Sequence, residues 1–122
     1  MLIFVLLATM FTANDLKQYC ASTNTADQAY CGGFLAGHAE GVISGAIVAA
    51  ILTAPPPNDE GERATIATRI SRRIGGCGSE DVTVGQVRLI FLKYVDEHPE
   101  ELHLSAARIV SKSLVAAFPC RQ

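Results

Sequence analysis

Tryptophan is absent from the 122-residue sequence, and aromatic residues make up only 7% of it. Single-stranded nucleic acid is held on aromatic platforms set in a basic groove, and the formal charge here is −2. Both features argue against a nucleic-acid partner. Strand-like alternation of apolar and polar residues is missing, as is any tandem repeat, so neither a sheet nor a solenoid is expected.

Catalytic patterns are missing as well. There is no G-x-S-x-G, no P-loop and no G-x-G-x-x-G ahead of a strand. His38, His98 and His103 are not spaced as H-E-x-x-H or as any metal pair, and the cysteines fit neither C-x-x-C nor a zinc-finger spacing. His38 and Glu40 fall on different sides of a helix. Cys31 and His38 are seven apart on one face, so a thiol–imidazole pair is geometrically conceivable, but it requires a free thiol. No catalytic set, metal site or cofactor is expected, and the reading is a binding protein rather than an enzyme.

What the sequence does contain begins with an apolar front end. The first thirteen residues, MLIFVLLATMFTA, carry no charge. The run from Leu2 to Phe11 has the length of a signal-peptide core and is shorter than the roughly 20 residues a membrane span needs. Residues 1–13 are read as a signal peptide cleaved near Ala13. No Lys or Arg precedes the apolar run and no clean A-x-A site precedes Asn14; a start codon placed too far downstream accounts for the first defect. A buried first helix is the alternative. Residues 14–122 then form one domain.

That domain reads as an all-α bundle of four to five helices with two disulfides. Asn14 is placed to cap a short helix ending at Cys20. A long helix runs from about Ala26 to Leu52 and is broken by 54-APPPNDEGE-62, an exposed acidic loop. Ile66, Ile70 and Ile74 mark one face of a short amphipathic helix over 63–74. Its arginines, Arg63, Arg69, Arg72 and Arg73, read as a solvated face, and Gly75-Gly76 ends it. Thr83 and Gln86 form a capping box for a helix carrying Val84, Val87, Phe91, Leu92 and Val95. After the turn 99-PEELHL-104, Ser105 is placed to cap a last helix with Ile109 or Val110, Leu114 and Phe118 inward.

The long helix has a small residue at every fourth position: Ala29, Gly33, Gly37, Gly41, Gly45 and Ala49. Each glycine costs a helix interior about 1 kcal/mol relative to alanine, so the row calls for close helix packing. In a bilayer it would be a G-x-x-x-G contact, yet His38 and Glu40 lie near the middle, where charge is most expensive, and no basic residues flank the segment. In a soluble bundle the row drifts about 40° per step. Two crossing helices can then share Gly33, Gly37, Gly41 and Gly45 on a fully buried central helix. A homodimer interface is the other user of such a surface.

Cys20, Cys31, Cys77 and Cys120 behind a leader read as two disulfides in an oxidising compartment. The helices starting at Thr83 and Ser105 are joined by a tight turn and should run antiparallel. This brings Cys77 near Cys120 and leaves Cys20 for Cys31. Cys20–Cys120 with Cys31–Cys77 stays open as the competing arrangement. By chain entropy the longer loop would contribute about 4 kcal/mol.

The segments 14-NDLKQYC-20, 30-YCGGFLAGHAEGV-42, 82-VTVGQVRLIFLKYVDEHPEELHLSAARIV-110 and 118-FPC-120 resemble the Rap/Tai immunity proteins of bacterial type VI secretion systems. The likeness covers residues 14–53 and 82–120; residues 54–76 depart from the pattern and form a variable segment. The resemblance implies a small helical periplasmic protein, often a homodimer. It would neutralise a papain-like peptidoglycan amidase effector by covering its cleft, with no stable membrane insertion after leader removal. Under that reading the acidic loop Asn58-Asp59-Glu60 is placed to enter a cleft. Asp96, Glu97, Glu100 and Glu101, around the interhelical turn, are placed to steer a basic toxin. Ordinary solvated surface is the alternative for both groups. For the whole chain, the alternatives are a periplasmic structural or chaperone-like protein and a small membrane protein using the glycine row.

Overall fold

The computed structural model describes residues 11–53 and 60–121. They form five α-helices: α1 (Ala13–Ala21), α2 (Thr25–Thr53), α3 (Glu60–Gly75), α4 (Val84–Glu97) and α5 (Ala106–Ala117). A single 3-10 turn, Pro99–Glu101, lies between α4 and α5. The architecture is the expected all-α class with two disulfides. The leader segment up to Met10, and Asn58 and Asp59 of the expected acidic loop, lie outside the described residues. Glu60 does not belong to that loop: it opens α3, which starts three residues earlier than expected. Glu60 and Glu62 occupy its first turn, where carboxylates favour the helix dipole.

The start of α1 also differs from expectation. Its cap is Thr12, not Asn14. The Thr12 hydroxyl accepts from the Asp15 N–H at 3.2 Å, and the Asp15 carboxylate accepts from the Thr12 N–H at 2.9 Å. Phe11, Thr12 and Ala13, assigned by the expected boundary to the leader, are therefore part of the fold. The Ala13 N–H donates to the Leu104 carbonyl at 2.8 Å and the Asn14 N–H to that of Leu102 at 3.0 Å. Thr12 pairs with Ser105 as an antiparallel bridge. Ser105 occupies the N-cap position of α5, but its side chain makes no capping bond. The Ala106 N–H is satisfied instead by the Phe11 carbonyl at 3.1 Å. For α4, the Thr83 hydroxyl accepts from the Gln86 N–H at 3.1 Å, but the reciprocal Gln86 side-chain bond of the expected capping box does not form.

The core is built where α1, the first third of α2, α4 and α5 meet. Leu16, Cys20, Cys31, Leu35, Phe91 and Ile109 are among its buried residues. Full burial of side chains the size of Leu or Phe is worth about 1.5–3 kcal/mol each. Phe11, Tyr19, Tyr30 and Phe34 cluster beside this core, with ring centroids 4.3–6.3 Å apart. The Arg88 guanidinium donates to the Cys20 carbonyl at 2.7 Å, occupying an acceptor that the end of α1 leaves open.

Beyond the core, α2 continues with α3 packed along it. The expectation of a fully buried α2 fails here: it buries only Cys31, Leu35, Ala46 and Ala50. Ala46 and Ala50 lie one residue on from Gly45 and Ala49, about 100° round the helix from the glycine row. No residue of α3 is fully buried. At its end Gly76 adopts φ +82°, and a Cβ there would lie 2.8 Å from the Leu114 carbonyl oxygen and 2.9 Å from that of Phe118. Both the backbone angle and the space require glycine.

A chain starting at Asn14 loses the Thr12 cap and the Phe11 and Ala13 backbone bonds; one starting at Phe11 keeps them. Urea midpoints should place the shorter chain lower, with about 1 kcal/mol from the cap alone. Equal midpoints would refute this account of the N-terminus.

Candidate interaction surface

The sequence-derived sites divide into those that hold the fold together and those left facing outward. The cysteines hold it together. Cys20 pairs with Cys31 and Cys77 with Cys120, each with Cα atoms 5.0 Å apart, and among the described residues no cysteine is free. The first bond ties α1 to α2. The second ties the segment after α3 to the end of the chain beyond α5. Cys31 therefore has no thiol to pair with His38. His38 Nε2 instead lies 3.1 Å from Ser111 Oγ, linking α2 to α5. Burial holds the His38 pKa below the usual histidine value.

The glycine row faces outward. Gly33, Gly37, Gly41 and Gly45 are exposed, and a Cβ built at any of them meets nothing within 4 Å. Close packing inside the chain therefore does not require glycine at these positions, although Gly41, Gly45 and Ala49 border a shallow groove with Ile70 and Ile74 of α3. The second half of α2 is broadly apolar and uncovered: Ile43, Ile47, Val48 and Ile51 are about half exposed, and Leu52 is 75% exposed. By length and composition α2 is apolar enough to cross a membrane, and 17% of its most apolar stretch is buried.

The acidic residues around the interhelical turn are mostly spoken for. Asp96 lies 3.5 Å from Lys17 and Glu97 4.0 Å from Lys93. Glu101 pairs with the Lys112 ammonium and accepts from the Tyr94 hydroxyl at 2.5 Å. Glu100 is exposed. These pairings leave a weaker acidic field than the four sequence positions imply. Exposed pairs of this kind are worth about 0–1 kcal/mol each, so their effect is on surface charge more than on stability. His98, Glu100 and Glu101 bring possible ligand atoms within 4.8 Å of one another. Glu101 is already committed to Lys112 and Tyr94, however, and the ammonium would repel a cation.

Sequence reasoning missed the Lys17, Arg88 and Lys112 partnerships and the His38–Ser111 link. Each joins residues on different helices, and no local pattern signals such pairs. The basic side of α3 was legible, and the structure places it in the open: Arg69, Arg72 and Arg73 are all exposed.

Hydrogen bonding from Lys112 and then from Tyr94 holds the Glu101 carboxyl below its ordinary value. Its contribution to stability is present above the ordinary carboxylate range and is lost as pH falls through that lowered value. The Glu101 hydrogen bond raises the Lys112 pKa, so this contribution is lost again as pH rises through the raised value. His38 acts earlier on the acid side: below about pH 6.5 the unfolded chain takes up its proton first, and stability falls. Urea midpoints measured across pH 5–7 should decline toward acid in the wild type. They should decline less in His38→Gln, and equal slopes would remove His38 as the cause.

The chain matches the family model for Rap1a immunity proteins over residues 12–120. No curated protein and no solved structure matches it.

Proposed function

This chain belongs to the Rap1a immunity protein family, and we propose that it neutralises a peptidoglycan amidase toxin delivered by a type VI secretion system. Membership supports the coarser statement directly: an immunity protein against a secreted toxin, which acts by binding and not by catalysis. The finer reading places it in the periplasm as a plug over the amidase cleft. It is carried by the family match together with the two disulfides, since such bonds persist in oxidising compartments. The apolar front end fits export. We place the leader boundary ahead of Phe11, because Phe11 and Thr12 complete the helix termini of α5 and α1.

The same reading gives the exposed face of α2 an occupant. Small residues four apart beside Ile43, Ile47 and Val48 suit a second copy of the chain, in which two α2 helices approach closely. A membrane is the second reading, favoured by the length and apolarity of α2. His38 and Glu40 near its middle oppose it.

Co-expression with candidate peptidoglycan amidase effectors, both partners directed to the periplasm, should restore growth and yield a co-purifying complex. Survival without a complex would refute direct inhibition. In light scattering the purified chain should run as a dimer, and Ile47→Glu should shift it to monomer. Retention in the membrane fraction after carbonate extraction would favour the span instead.

A further inference from the structure

Acidic residues outnumber Lys and Arg in the chain by 12 to 10, yet one side of the molecule collects cations in two adjoining grooves. The first, of about 530 Å³, runs between α3 and the Cys77–Cys120 bond, and Arg69, Arg72 and Arg73 line it. The second, of about 600 Å³, lies where α3 meets α4 and α5, and its lining includes Arg73, Arg108 and Lys112. Arg73 belongs to both. Neither groove has an Asp or Glu in its lining.

These arginines are not explained by the fold. α3 buries no residue fully, and among the described residues Arg69, Arg72, Arg73 and Arg108 have no side-chain partner. Lys112 is held by Glu101, so the four arginines carry the net charge of the face. Glu101 neutralises Lys112 at the second groove, whereas the guanidinium groups of Arg69, Arg72, Arg73 and Arg108 are left available. A guanidinium offers a planar fork that fits a carboxylate through two hydrogen bonds. The charge lies along two shallow, open grooves, in which an extended acidic chain can lie.

We propose that the two grooves joined at Arg73 are the docking face for an acidic segment of the toxin. The proposal rests on the immunity reading above and reverses the polarity expected from the acidic turn. Complementary charge of this kind speeds encounter and fixes register more than it deepens final affinity.

The test uses the full disulfide-bonded chain, with decaglutamate as a peptide probe and the amidase effector selected by the co-expression assay as the protein partner. Arg69→Gln, Arg72→Gln and Arg73→Gln are combined in one variant, since neutral side chains disturb the end of α3 less than glutamates would. Far-UV circular dichroism and urea midpoints establish that the variant folds. Decaglutamate should shift the arginine side-chain NMR signals of the wild type and leave the variant unmoved. The rate of association with the effector should fall about tenfold at low salt, and the gap should close near 1 M salt, where screening acts within about 3 Å. Equal association rates for wild type and variant overturn the proposal. So does binding of the wild type to phosphatidylglycerol vesicles, lost in the variant, without any response to decaglutamate. If the wild type protects against none of the candidate effectors, the immunity reading falls, and the peptide shifts still decide whether the grooves accept an acidic chain.

Discussion

Three backbone hydrogen bonds fasten the first turn of the fold to the far end of the chain: Ala106 to Phe11, Ala13 to Leu104 and Asn14 to Leu102. Buried backbone donors need partners, and here the two helix starts and the interhelical turn supply one another. With α1 held against the α4–α5 hairpin, Leu16 and Cys20 reach Phe91 and Ile109. Cys20 is then placed to bind Cys31 and fix α2 at its root. Remove the strap and α1 keeps the Cys20–Cys31 bond and the Arg88 contact at its end but loses the anchor of its first turn, and nine residues are too few for a helix to persist on its own in water.

Much of this was legible because local chemistry announces helix ends. The proline run, Gly75-Gly76, Thr83 and Pro99 each mark a boundary within a few residues, and the hairpin logic points to the observed cysteine pairing. Thr12 was misassigned for a specific reason: it sits in an uncharged stretch that reads as leader, so its cap was passed to Asn14. Ser105 was credited with a cap because the true partner of the Ala106 N–H, the Phe11 carbonyl, is distant in sequence and lies in no local window. The glycine row reads as a demand for close approach, yet within the chain a Cβ at any of its four glycines meets nothing within 4 Å. Periodicity specifies a face but does not say what covers it.

The surface follows from the same division of labour. The core uses α1, α4, α5 and the start of α2, so the remainder of α2, which buries only Ala46 and Ala50, and α3, which buries no residue fully, leave most of their surface exposed. On the remainder of α2 this leaves an apolar, small-residue face of the kind that associates with another helix. On α3 it leaves Arg69, Arg72 and Arg73 exposed along one groove. The acidic turn belongs to the structural half, and its carboxylates are correspondingly engaged by Lys17, Lys93 and Lys112.

Gly76 and the Cys77–Cys120 bond fix where α3 leaves the body of the protein, while the helix itself places nothing in the interior. Almost any substitution along its outer side therefore changes what the molecule meets without changing whether it folds. An arms race between poison and antidote needs such a separation, in which the antidote can be rewritten at one limb while the trunk stays as it was.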